Sequence, residues 1–347
     1  MRVLIRRTCG LGDLLLSIPL IRGISLVHPG CEIHLLGHGG HVRLLETMGY
    51  IHRGFPEEGS GWHGLFSCSE TNGTALSPSP NDYTHIYIVH SGGAVEGLLA
   101  SLKRWGIPHV HHLGAHPMGR SRIHVSWYQL RQLPLDTVTK RRILSQFKRA
   151  RGPVGFHGTG AAAPSGRAIV IHPGSGSKKK NWPVDRFVSI LKALGPVWPW
   201  EIIIIGGPAE DELLGDLGDG TMRCMSRTPM FLIPGSLEDL LKLLEVECCI
   251  FLGNDSGVAH LAGILGVETF VIFGPSDPVH WRPLGPRVTV LTNPRFCSPC
   301  HPHRAQICPH GQCGRFPLVE EVLSPLMTAV ERKIRALSGP CMPPGPP

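Results

Sequence analysis

What most constrains this chain is a pattern that recurs along it. A short unbroken apolar run stops at a glycine-bearing turn and is followed by a segment whose apolar residues repeat every three or four positions. Val3-Leu4-Ile5, Ala168–His172, Glu201–Ile205 and Cys248–Leu252 lack the in-out alternation of a half-exposed strand. As strands they bury both faces. Such strands, separated by amphipathic helices, assemble into parallel sheets with helices on either side. The chain is therefore expected to be α/β, and its ligands are expected at the carboxyl ends of the strands, where the turns lie.

The most informative turn is Gly253-Asn254-Asp255-Ser256-Gly257, which follows the Cys248–Leu252 run and opens a short apolar helix ending near Gly266. Backbone N–H groups gather there, with the positive end of a helix dipole behind them. That arrangement suits an anion. An ordinary N-cap at Asp255 or Ser256 explains the same residues, so the reading depends on their neighbours. In the same half of the chain, Gly174, Ser175 and Gly176 precede three lysines, of which Lys180 stands beside Asn181-Trp182-Pro183. Glu210 follows the Gly206-Gly207 turn, placed to accept hydrogen bonds from vicinal hydroxyls such as those of a ribose. Hydroxyl, ammonium and backbone donors around a diphosphate describe a nucleotide-sugar site.

The first half begins with a strand at Val3–Ile5, a turn from Thr8 to Asp13, and an apolar helix from Leu14 to Leu26 interrupted at Pro19. Asp13 thus stands near a helix start, at the carboxyl end of a strand. The Gly-x-Gly-Asp spacing lacks the third glycine and the distant acid of a dinucleotide fingerprint, so NAD is not expected. Further strands are expected at Glu32–Gly37, Ile86–Val89, Thr269–Gly274 and Val288–Leu291, with helices over 41–48 and 237–245. Residues 54–82 read as a long loop. Five histidines between Trp105 and His124 have no metal-ligand spacing and suggest solvent or acceptor contact. Gly152–Gly166 is rich in Gly, Ala and Pro and reads as a linker, which divides the chain into domains at 1–155 and 165–316, followed by a helix and a disordered tail over 317–347. That last helix is expected to pack across both domains.

The net charge of +8 is concentrated. Residues 101–151 hold eleven Lys and Arg against the single acid Asp136, so this segment carries +10 and the rest of the chain −2. A local basic field attracts an acidic partner such as phosphorylated lipid, nucleic acid or an anionic membrane surface, and it also serves simply as a solvated face. No apolar run is long enough to cross a bilayer, and the chain opens in a strand, so a cytoplasmic location is expected.

These pieces together resemble glycosyltransferase family 9, the lipopolysaccharide heptosyltransferases. The likeness rests on MRVLIRRTCGLGDLLLSIPLIRGI, HPGSGSKKKNWPVDRF, GGPAE, GNDSGVAHLAGILG and FGPSDP, in the family's order, and is weakest over 54–160. It implies a GT-B fold: two Rossmann-like domains facing across a cleft, the first holding the acceptor and the second a nucleotide sugar such as ADP-heptose. It implies Asp13 as general base and Lys180 as the phosphate-binding lysine, with Lys179 as the other candidate. It further implies Ser175 as a phosphate contact, Glu210 as the ribose contact, and Asn254, Asp255, Ser256, Gly257 and His260 as the donor turn. Arg7 stands where family members often have lysine. The implied acceptor is the phosphorylated lipid A and inner core of lipopolysaccharide, met at the inner face of the membrane, with no nucleic acid and no required cofactor. A GT-B epimerase and a non-catalytic nucleotide-sugar binder are the alternatives. Cys297, Cys300, Cys308 and Cys313 are close enough in sequence to hold a structural zinc or to remain as free or paired thiols; both readings stand.

Overall fold

The computed structural model describes residues 1–59, 61–62, 77–92, 95–117, 121–149, 166–207, 210–222, 228–293 and 316–338. The chain forms two compact units. The first comprises Met1–Ala161 with Ser236–Leu241 and Val279–Pro286; the second comprises the remainder. The linker read at 152–166 lies almost wholly outside the described residues, as do the four cysteines at 297–313 and the tail from 339 onward.

The first unit is built on a parallel sheet of β1 (Arg2–Arg6), β2 (Glu32–Gly37), β3 (Arg53–Pro56), β4 (His85–His90) and β5 (Val110–Gly114), in the order β3-β2-β1-β4-β5. Chain order reverses direction between β1 and β4. This is the switch point at which open α/β sheets leave a crevice beyond their carboxyl ends. The helix expected over 14–26 is two helices, Leu11–Leu16 and Ile18–Val27, divided at Ser17 with Pro19 in the first turn of the second, where its missing N–H costs nothing. Asp13 therefore lies inside a helical first turn, and Gly10 takes the N-cap position.

Three strands escaped the pattern reading. β3 (Arg-Gly-Phe-Pro) lies in the segment read as loop; it is short and at the sheet edge, where proline is tolerated. β5 (Val-His-His-Leu-Gly) is half polar, also at an edge. The third belongs to the second unit. The basic helix Thr137–Arg149 buries Ile143 and Phe147 within its own unit and leaves Arg141, Arg142, Lys148 and Arg149 exposed. Its apolar side is thus committed to packing, and the charged side faces out.

The second unit is a parallel sheet of β6 (Ala168–His172), β7 (Ile202–Ile205), β8 (Met230–Leu232), β9 (Cys248–Asn254), β10 (Glu268–Ile272) and β11 (Val288–Leu291), in the order β11-β10-β9-β6-β7-β8. β8 is the missed edge strand of three residues. Again the order reverses once, between β6 and β9, so the turns after these two strands meet. The last helix, Val319–Leu337, packs into the core of the second unit. Its Val322, Leu326, Ala329 and Val330 are buried with Phe187, Leu191 and Ile250 of the second unit. Trp182 Nε1 and Arg186 both donate to the Pro317 carbonyl at its start (3.0 and 2.9 Å). No described helix is long and apolar enough to cross a membrane. Because Leu326 is fully buried in this core, Leu326→Ala should destabilise the second unit by about 2–5 kcal/mol, seen as a lower midpoint in urea unfolding.

Candidate functional site

In the second unit the switch point is assembled by one buried amide. Asn254, at the end of β9, donates from Nδ2 to the Pro173 carbonyl (2.6 Å) and accepts from the Trp182 N–H at Oδ1 (3.1 Å). One side chain thus ties together the turn after β6, the segment after the lysines and β9. Both ends of its amide are spent on the scaffold, so its part in the site is positioning. Gly253 beside it allows close approach of the strands: a Cβ there would come within 2.9 Å of the His172 carbonyl.

The next residue supplies the charge. Lys178–Lys180 form a single 3-10 turn that points its members differently. Lys178 reaches out to Glu212 at the surface, whereas Lys180 Nζ donates to Asp255 Oδ2 at 2.8 Å. The Ser276 hydroxyl donates to the same oxygen (2.6 Å), and His260 Nε2 lies 3.8 Å from Oδ1. Burial opposes a charge on Asp255, but the His260 ring and the Lys180 ammonium more than reverse it and hold the carboxyl well below the usual range. The carboxylate side chain is only 5% exposed and the lysine 36%, so a buried anion holds the ammonium of a lysine that remains accessible to solvent.

Ser256 caps the helix Gly257–Ile264, its Oγ accepting from the Ala259 N–H. Gly257 and Val258 head that helix, in positions whose N–H groups have no intrahelical acceptor. Behind them His172 is buried, with Nδ1 3.2 Å from Ser256 Oγ. Burial depresses its pKa to about 4, so the ring is neutral at physiological pH.

Glu210 folds back over the neighbouring turn. Its Oε2 accepts from the Gly207 N–H at 2.7 Å, and a Cβ on Gly174 would lie within 2.6 Å of its side chain. Gly174 is therefore the residue that lets Glu210 approach the 173–176 turn. The Ser175 hydroxyl oxygen lies 2.7 Å from Asn181 Oδ1 and 2.8 Å from the Ser177 carbonyl, and it organises this loop.

Asp13 belongs to the first unit. Its Oδ1 accepts from His116 Nε2 at 2.8 Å and lies 3.9 Å from the Arg7 guanidinium. Arg7 is buried, and its three side-chain nitrogens have no hydrogen-bond partner among the described residues. The neighbouring Cys9 thiol is pushed up to about 12 by burial. The five histidines of 105–124 separate in the structure. His109 and His111 stack against His85, His112 against His90, and His124 caps the helix Val125–Arg131, while His116 meets Asp13. The sequence places His116 among the five histidines read as solvent or acceptor contacts, without its pairing to Asp13, and Ser276 only within the FGPSDP segment. The signal for His116 was its place just beyond β5, on the same end of the sheet as Asp13. No group of three or more His, Cys, Asp or Glu is disposed to hold a metal among the described residues.

The family model of glycosyltransferase family 9 (heptosyltransferase) matches residues 127–308, just over half of the chain. The chain belongs to this family. Lipopolysaccharide heptosyltransferase 3 of Escherichia coli is 26% identical to it over 162 residues, 44% of this chain and 44% of that relative's length. Among solved structures, the family 9 glycosyltransferase from Veillonella parvula DSM 2008 superposes with a TM-score of 0.70 at 18% identity, covering 95% of this chain and 97% of its own. The E. coli ADP-heptose heptosyltransferase II gives 0.65 at 16%, covering 96% and 100%. At these identities the likeness concerns the fold, which is GT-B, with two Rossmann-like units.

In this family 9 chain the buried His172 links the turns after β6 and β9 to pH. An imidazole whose folded pKa lies near 4, against an ordinary 6.5, takes up its proton more readily in the unfolded chain. Its contribution is complete above about pH 6.5 and is lost as pH falls toward 4, on the order of 3 kcal/mol over that window. Urea unfolding measured from pH 7 to 4 should therefore fall less steeply for His172→Gln than for the wild type.

Proposed function

We propose that this protein is an inverting glycosyltransferase that moves a heptose from ADP-heptose to the phosphorylated lipid A and inner core of lipopolysaccharide. The observation that carries the reading is Lys180 held by Asp255 at the head of a helix, at the switch point of a family 9 fold. A diphosphate arriving there meets an ammonium already aimed by a buried anion, together with the leading N–H groups of Gly257–Ile264. These groups favour the departing nucleoside diphosphate over the intact donor, because negative charge grows on it as the sugar leaves. Glu210 takes the ribose hydroxyls and Ser175 steadies the loop that carries Lys180. Asn254, Ser256 and His260 hold the turn in shape. No divalent metal has a role in this scheme.

The acceptor hydroxyl loses its proton to a base centred on Asp13 as its oxygen attacks the anomeric carbon from the face opposite the diphosphate. The exposed cations of Thr137–Arg149 meet acceptor phosphates and the anionic inner surface of the membrane, which gives the enzyme a peripheral, cytoplasmic station.

Mass spectrometry after incubation with ADP-heptose and a series of truncated lipopolysaccharides tests the reaction. A product one heptose heavier is expected; an epimerised donor with no transfer, or donor left intact across the series, would overturn it. Asp13→Ala should keep ADP binding by calorimetry and lose turnover by about 10³-fold, within the range of base catalysis. Lys180→Ala should lower kcat and also weaken ADP binding. Arg141→Glu with Arg142→Glu should raise KM for the acceptor while leaving KM for the donor unchanged.

A further inference from the structure

We infer that the base is a carboxylate–imidazole pair in which His116 receives the acceptor proton and Asp13 aims and charges the ring. This rests on the transfer reading above and specifies its proton path.

The geometry is that of an oriented imidazole. His116 Nε2 donates to Asp13 Oδ1 at 2.8 Å, and no described residue is bonded to Nδ1. The ring is held from the side by Trp281, edge-on with centroids 4.9 Å apart. Its backbone is fixed one residue earlier. The Ala115 N–H donates to the His90 carbonyl (2.7 Å) and the Ala115 carbonyl accepts from Gln129 Nε2 (2.9 Å). His116 is nonetheless 28% exposed, so a substrate can reach it.

Arg7 decides which of the two partners keeps the proton. Its guanidinium is buried, makes no hydrogen bond to any described residue, and has Asp13 as its one counter-charge among them. Protonating Asp13 would leave that buried cation without compensation, which is costly in a low-dielectric interior. Protonating the imidazole creates a second cation, but one that shares the retained carboxylate and faces solvent. The division of labour follows the logic of an acid-oriented histidine: the carboxylate fixes the tautomer and steadies the imidazolium without taking the proton itself.

The step balances. The acceptor O–H bond breaks and its proton passes to His116 Nδ1. The oxygen's electron pair forms the new bond to the anomeric carbon as the bond from that carbon to the diphosphate oxygen breaks, and its pair leaves with the nucleoside diphosphate. The imidazolium then releases its proton to water.

The test is the pH dependence of kcat/KM for the truncated lipopolysaccharide in wild type, His116→Gln and Asp13→Asn, with ADP binding and thermal unfolding measured alongside. Glutamine can still donate an N–H to Asp13, so a purely structural His116 is rescued by this change and a proton acceptor is not. The expected result is a loss of about 10²-fold or more in His116→Gln, disappearance of the wild-type acid limb, and ADP affinity within twofold. Should His116→Gln fail to fold, His116→Ala with added imidazole replaces it, and recovery of rate with imidazole is expected. Wild-type rate and an unchanged acid limb in His116→Gln, or no response of His116→Ala to imidazole, would overturn the pair. If Asp13→Ala is dead while His116→Gln is active, the transferase reading stands and the pair alone falls; if the wild type transfers no sugar, both fall.

Discussion

The architecture of the second unit's switch point depends on the contact between the ends of β6 and β9, secured by Asn254. Two parallel strands with crossover connections on opposite sides have no hairpin to bind their outgoing turns. Something must hold those turns at fixed separation, or the groups they carry have no defined geometry. The buried amide of Asn254 does so through one donor and one acceptor bond to two different segments, donating to the Pro173 carbonyl and accepting from the Trp182 N–H. Unsatisfied, either end would cost on the order of 1–3 kcal/mol, so the bond acts as a strong local constraint. The lysine turn between those segments inherits its position, which is how Lys180 comes to Asp255 although 75 residues separate them.

Charge in the two units is handled in contrasting ways. Around Asp255 every cost is met: the buried carboxylate has an ammonium, a hydroxyl and a neighbouring imidazole. Around Asp13 the account is left open by Arg7, a buried guanidinium with no hydrogen bond among the described residues. The first arrangement fixes the ammonium of Lys180 against a buried carboxylate. The second leaves a group whose environment penalises any loss of negative charge nearby.

Much of this was legible in the sequence because the features that carry it are local. Continuous apolar runs ending in glycine turns identified the strands at 3–5, 168–172, 201–205 and 248–252, and with them the α/β class. Motif order placed Asp13, Lys180 and the 253–257 turn at the ends of those strands. What escaped was of two kinds. Edge strands such as Arg53–Pro56 and Val110–Gly114 bury little and so have little apolar pattern to read. Pairings across the sheet, such as Asp13 with His116, depend on strand order, and no window along the chain contains both residues. The three lysines show the same limit: their direction is set by a 3-10 turn and by Asp255, so sequence spacing alone could not separate Lys180 from Lys179.

The way the chain is divided between its two units bears on how it is made. The first unit draws in Ser236–Leu241 and Val279–Pro286, and the second is completed by Val319–Leu337. During synthesis, therefore, the amino-terminal sheet emerges from the ribosome long before its last strips of chain, and the other sheet lacks part of its core until the final helix clears the exit tunnel. Neither half can reach its finished form in isolation and in order. Until those later segments are made, the apolar surface they cover stays open, and the partly made chain carries the aggregation hazard of such surface.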